Sequence, residues 1–211
     1  MPRSLLLLLG CAALLTGCMP AVLGPDMNAL TLQPAGAAWT AQDVLTDSAL
    51  PAAQVLPLLE AAQRAPVGSL IVACQRKGNV YGQCTHITRK LSEHDLTEET
   101  GLLGLGATLR PLESLSRRDL IFVLDSGVRA AHLPALQAEV QRLRGAPYQL
   151  NGQLDAFDCA TYQNALQRAA GLPDAVPLDP RWQAHLPLGA LTVSTNTLLW
   201  VGVREGLLPL P

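Results

Sequence analysis

Leu120-Ile121-Phe122-Val123-Leu124 is an unbroken apolar run too short for a stable helix, and it reads as a strand. A second short run, Ser69 to Cys74, reads as a buried strand, followed by an Arg76-Lys77-Gly78-Asn79 turn. Val80 to Leu91 reads as the next strand, with an interruption at Gly82. A polar turn over Ser92 to Asp95 leads to a third strand over Leu96 to Leu105, loosened by its glycines. One or two more strands fall in Leu191 to Val203. Helical spacing marks three other segments. Pro51 to Ala65 carries Val55, Leu58, Leu59 and Ala62, and Pro51 suits a first turn. His132 to Leu143 lines up Leu133, Leu136, Val140 and Leu143; Cys159 to Ala170 lines up Tyr162, Ala165, Leu166 and Ala169 before Gly171. The sum is an α+β fold with a central, mostly antiparallel sheet packed against helices.

The N-terminus speaks to compartment. Arg3 precedes an apolar stretch of about ten residues, too short for a bilayer-spanning anchor. The stretch ends in Leu15-Thr16-Gly17-Cys18, which resembles the bacterial lipobox. That resemblance implies a signal peptide over 1–17 and a lipidated Cys18 carrying a diacylglycerol thioether and an N-acyl chain. Two or more chains suffice for stable membrane anchoring. Residues 18–50, with Pro20, Gly24, Pro25, Pro34 and Gly36, read as a tether. Trp39, Val44 and Leu45 would want cover along the folded part, which is expected over 51–211.

The chain is 49% hydrophobic and 15% charged, so it is not of the disordered class. Its net charge of −2 leaves no basic surplus for phosphate backbones, which argues against nucleic acid as a partner. An exported protein meets oxidising conditions. Besides Cys11 and Cys18, the chain has Cys74, Cys84 and Cys159, an odd number. Cys74 and Cys84 fall on adjacent expected strands; a disulfide and two buried thiols are both open. No cysteine–histidine spacing of a metal site occurs, and Gly104-Leu105-Gly106 matches no phosphate or dinucleotide loop, so no cofactor is expected.

Asp158 precedes Cys159 at the start of a helix and suits an N-cap. A helix N-terminus favours thiolate over thiol, and its free N–H groups can hold an oxyanion. The surrounding pattern, Gly145-Ala146-Pro147-Tyr148, a spacer, then Asp158-Cys159, resembles the NlpC-like cell-wall peptidases of the papain-like superfamily. The resemblance implies a nucleophilic Cys159 with Tyr148 in the active site beside the substrate. The departure is Ala160-Thr161, where that family carries Ser-Gly.

The general base that such a thiol needs is usually histidine. His185, the one histidine downstream, sits in a proline-flanked loop and does not fit the family's strand. Upstream, Pro66-Val67-Gly68-Ser69-Leu70 and Cys84-Thr85-His86-Ile87 resemble the family's histidine half, with Ser69 in place of an aspartate. Histidine half before cysteine half is the order of the circularly permuted, YiiX/YebB-like branch. The resemblance spans roughly residues 66 to 180, and Pro177-Leu178-Asp179-Pro180 resembles a turn common there. It implies a permuted papain-like (NlpC-like) fold, His86 as base and, about twelve residues on, Glu98 as the orienting group; a one-residue longer turn would favour Glu99. His94 and His132 read as surface residues.

These expectations describe a membrane-anchored cysteine hydrolase of peptidoglycan peptides or of lipid amides or esters. The altered flank of Cys159 and the missing aspartate at Ser69 motivate an alternative, a catalytically inactive envelope lipoprotein that binds or scaffolds.

Overall fold

The computed structural model describes residues 24–34, 36, 38–101, 104–152 and 154–208. The expected signal peptide and Cys18 lie outside them.

The protein is mixed α and β. Strands are β1 (Thr31–Gln33), β2 (Ala49–Pro51), β3 (Val55–Pro57), β4 (Leu70–Asn79), β5 (Gly82–Lys90) and β6 (Asp95–Thr100). They continue as β7 (Gly106–Pro111), β8 (Leu120–Asp125), β9 (Leu178–Asp179), β10 (Ala184–His185) and β11 (Thr197–Val203). Helices are α1 (Ala41–Asp47), α2 (Leu58–Arg64), α3 (Leu133–Arg142) and α4 (Cys159–Ala169). The main sheet has seven strands in the order β3-β11-β8-β4-β5-β6-β7. Only the β3–β11 edge is parallel; the other neighbours run antiparallel. The Leu120–Leu124 run is central, between β11 and β4, which is why it has no polar face.

Side chains alternate across this sheet into two cores. On one face Leu70, Val72, Phe122, Leu124 and Val201 pack with Met27, Val44, Leu45, Leu50, Cys159 and Ala160. On the other, Ile71, Ala73, Ile121, Val123 and Leu96 pack with Leu58 and Ala62 of α2 and with Leu112 and Leu115. Gly202 permits the close approach of α2, since a Cβ there would sit 2.9 Å from the Leu58 carbonyl oxygen. A third cluster joins α3 to α4 through Leu136, Val140, Tyr162 and Leu166, with Phe157 and Ala107.

Several sequence expectations shift. The helix expected over Pro51–Ala65 occupies only Leu58–Arg64, preceded by a 3-10 turn and β3. Pro57 is the reason: it has no N–H to give and it disfavours helical backbone at Leu56. The tether expected over 18–50 narrows as well. Met27, Val44, Leu45 and Leu50 are buried, and β1 pairs with β2. The chain is therefore part of the packed body from near residue 24. The third expected strand stops at Thr100, and β7 pairs back on it in register Thr100↔Gly106. The turn placed at Arg76–Asn79 is a continuation of β4, which turns at Val80-Tyr81 instead.

Candidate functional site

Helix α4 starts where it does because Asp158 caps it. Its Oδ1 accepts the backbone N–H groups of Ala160 at 2.9 Å and Thr161 at 2.8 Å, and the Thr161 hydroxyl at 3.1 Å. The Asp158 N–H donates in return to Thr161 Oγ1 at 2.9 Å, completing a capping box. Its Oδ2 takes the Asn151 N–H at 2.7 Å. Thr161, the departure from the family pattern, is thus a working part of the cap. Just upstream, Phe157 is stitched to the Pro147–Gln149 turn: its N–H donates to Pro147 O, and its carbonyl accepts the Gln149 N–H. This bridge brings the Tyr148 turn alongside Cys159. Gly101 lets the Tyr148 ring lie close, since a Cβ there would stand 3.3 Å from it.

Cys159 and Tyr148 line one cavity of about 90 Å³ together with Thr85, Tyr81, Asp158 and His185. An adjoining cavity of about 180 Å³ shares Tyr81 and Leu186 with it, and Leu45, Leu178 and Leu188 make it largely apolar. A wider groove of about 770 Å³ lies between Trp39, Gln54 and Leu198, but no titratable side chain lines it.

His86 and Glu98 are brought together, with His86 Nε2 2.8 Å from Glu98 Oε2. Cys159 lines a different cavity from this pair, although its thiol meets the Ile87 N–H and lies within electrostatic reach of Glu98. A β-bulge explains the separation. Ala73 faces His86 while Cys74 faces Cys84, so Thr85 is an extra residue in β5. Strict alternation would put His86 on the same face as Cys84. The bulge resets the phase, which leaves Cys84 and Ile87 in the Cys159 core and turns His86 to the opposite face with Ala73. Among the described residues no hydrogen bond joins Cys159 to His86. Glu98 shares the His86 face, and Arg110 Nη1 lies 3.5 Å from its Oε1. Burial would raise the Glu98 carboxyl, but the His86 hydrogen bond and charge, with Arg110 and Arg118, outweigh it and hold it below its ordinary range.

Glu99 points the other way, towards the Cys159 side. It is fully buried, with the Thr100 backbone N–H beside its carboxyl. Burial, reinforced by the Asp158 charge, pushes its carboxyl up to about 8. The Cys159 thiol is also raised, against the sequence expectation of a lowered one. Burial is the main cause and the Asp158 charge adds to it, taking the thiol to about 12 despite the N–H groups of Ile87 and Cys159. The helix N-terminus that should favour thiolate already has a carboxylate on it. Tyr148 is pushed up to about 12, first by burial, then by the neighbouring Cys159 and Asp158 groups, so its phenol remains a donor.

His185 is the residue that sequence reasoning set aside. It lies in β10, paired with Leu178 of β9, rather than in an open loop. Its Nδ1 is 2.9 Å from the Val176 carbonyl oxygen. A carbonyl only accepts, so Nδ1 carries a proton, and in the neutral ring Nε2 keeps the lone pair. Asn164 braces the same segment: its Nδ2 donates to Val176 O, and its Oδ1 accepts the Ala175 and Val176 N–H groups. The available signal was its being the one histidine downstream of Cys159. Cys74 and Cys84 form a disulfide, and Cys159 is a free, buried thiol.

Comparison with known proteins returns no match to a family model, to a curated protein or to a solved structure.

Proposed function

We propose that the protein is a membrane-anchored cysteine hydrolase of permuted NlpC-like, papain-like type, with Cys159 as nucleophile and His185, in place of His86, as its base. The observation that carries this reading is the single cavity lined by Cys159, Tyr148 and the His185 imidazole, whose Nδ1 is held at the Val176 carbonyl oxygen. The thiol is held high, so no thiolate–imidazolium pair stands ready. His185 therefore takes the proton as Sγ attacks the carbonyl carbon. The oxyanion would rest on the Cys159 N–H with the Tyr148 hydroxyl. Collapse breaks the bond to the amine or alcohol, which receives the proton from His185. Water, deprotonated by the same imidazole, then hydrolyses the thioester. The substrate is an amide of peptidoglycan peptides, or an amide or ester of a lipid; the apolar cavity beside Tyr81 and Leu186 would take its apolar group. Lipidated Cys18 would hold the enzyme at the membrane, where both substrates lie.

The buried thiol, with no hydrogen bond to an imidazole among the described residues, favours a second reading as a non-catalytic envelope lipoprotein. Turnover of purified peptidoglycan and of a fluorogenic acyl ester separates the two. Wild type should turn over one of them, with Cys159→Ala and His185→Gln each losing about 100-fold or more and His86→Gln retaining activity. Turnover by Cys159→Ala equal to wild type would remove the hydrolase. Loss in His86→Gln but not in His185→Gln would return the base to His86. Acyl labelling that disappears in Cys18→Ala tests the anchor.

A further inference from the structure

On the sheet face opposite Cys159 a cavity of about 350 Å³ is lined by His86, Glu98, Arg110, Arg117, Arg118 and Ser114 among others. We propose that it is an anion site that binds a phosphate group. Three guanidinium groups surround a single carboxylate there, in a chain whose net charge is negative. That carboxylate is already committed. Glu98 Oε2 is held by His86 at 2.8 Å, and its Oε1 faces Arg110 at 3.5 Å. The acid next in sequence to Arg118, Asp119, is engaged by Arg204 at 2.7 Å and by the Arg76 N–H. Among the described residues no carboxylate lies within ion-pair distance of Arg117 or Arg118. Glu98, shared with His86 and Arg110, acts on Arg118 only from beyond ion-pair distance, so one carboxylate faces three guanidinium groups and the lining keeps a positive surplus; Arg118 is half-buried at the cavity wall.

The geometry of supply fits a phosphate. Arg117 and Arg118 are consecutive, where the 3-10 helix Leu112–Arg117 ends, and Ser114 in the same turn adds a hydroxyl donor. Planar guanidinium forks match phosphate oxygens bidentately, and a dianion meets two unpaired cations. His86 and Glu98 serve as the frame that holds Arg110 in place, which gives this pair a role independent of the Cys159 cavity.

The chemistry is shared by free phosphomonoesters and by phospholipid headgroups, and the test separates them. The full chain in detergent is titrated calorimetrically with inorganic phosphate, with glycerol 3-phosphate and with acyl-free glycerophosphoglycerol at constant ionic strength. Saturable phosphate binding is expected, weakened about tenfold or more by Arg118→Gln and by the exposed Arg117→Gln, and unchanged by Arg144→Gln, an exposed arginine that does not line this cavity. Equal binding of the diester and the monoesters assigns the site to lipid headgroups; binding of the monoesters alone assigns it to a free phosphorylated compound. Absence of saturable phosphate binding, or binding by Arg117→Gln and Arg118→Gln equal to wild type, would overturn the proposal.

Discussion

Replacing Glu99 with glutamine should flatten the dependence of stability on pH. Glu99 is fully buried, and its burial, with Asp158 near enough to repel it, outweighs the Thr100 backbone N–H that would lower its carboxyl. Its carboxyl therefore moves from an ordinary 4.5 to about 8 on folding. The sign follows from proton counting. Between these values the folded chain holds one proton that the unfolded chain has lost, so stability falls as pH rises. The slope is about 1.4 kcal/mol per pH unit, and the full effect, complete above the folded value, is about 4 to 5 kcal/mol. Below the ordinary carboxylate range the group costs nothing by this route. Glutamine has the same shape but no proton to lose. Its amide finds no better partners than the carboxyl did, so a constant offset of about 1 to 2 kcal/mol is expected at every pH. The diagnostic is the slope of the difference. Urea unfolding followed by tryptophan fluorescence, at several pH values from about 5 to 8, should show wild type losing stability relative to Glu99→Gln with each step. Parallel curves for the two proteins would refute the buried, protonated Glu99.

Removing the helix cap with Asp158→Ala leaves the N–H groups of Ala160, Thr161 and Asn151 without their acceptor, and should cost about 2 to 3 kcal/mol in the same urea assay. The same change removes the charge that repels thiolate, so Cys159 should alkylate faster at fixed pH in Asp158→Asn than in wild type. In wild type, iodoacetamide labelling of Cys159 should keep rising with pH well beyond the range of a free cysteine; a plateau near pH 8 or 9 would contradict the burial argument. Replacing Cys74 and Cys84 by serine opens a short loop and should lower stability by about 2 to 3 kcal/mol, read as a shift in the urea midpoint. Tyr148 is half-exposed, so Tyr148→Phe should change stability by less than about 0.5 kcal/mol while lowering turnover about tenfold or more.

What could be read from the chain was what depends on local chemistry. An apolar run with no polar partner became a central strand, Leu120–Asp125, and Asp158 before Cys159 became a capped helix start. These signals are contained within a few residues. Pro51 to Ala65 misled because its apolar spacing suits a helix, while the decisive fact is where Pro57 forbids one. Val44 and Leu45 did signal a need for cover, but Met27 looked like a tether residue because its cover comes from β4, β8 and the 175–191 segment, distant in sequence. His185 looked unconstrained because its strand is two residues long and its fixing partner, Val176, is a backbone carbonyl that no side-chain pattern announces.

The Thr85 bulge shows how little sequence is needed to move chemistry from one face to another. Cys84-Thr85-His86-Ile87 reads identically with or without it, because a bulge changes register and not composition. With strict alternation, His86 would share a face with Cys84 and reach towards Cys159. With one extra residue, Cys84 keeps its disulfide partner while both later residues exchange faces, Ile87 entering the core beside Cys159 and His86 leaving it. The β6 strand then makes the same division one residue apart. Glu98 follows His86 to the arginine-lined face, and Glu99 stays below the Cys159 helix. The two glutamates that sequence reading weighed for one role therefore serve two separate sites, and the imidazole in the Cys159 cavity comes from His185 instead. A register edit provides a direct test of this division. Deleting Thr85 removes the extra residue and leaves Cys84, His86 and Ile87 opposite Cys74, Ala73 and Val72 in plain alternation, so His86 should stay with Glu98 on the face away from Cys159. Urea unfolding of that variant should show a stability change below about 1 kcal/mol, because no side chain changes face. A loss of about 3 kcal/mol or more would mean that the bulge is not the only device that sets which face His86 takes.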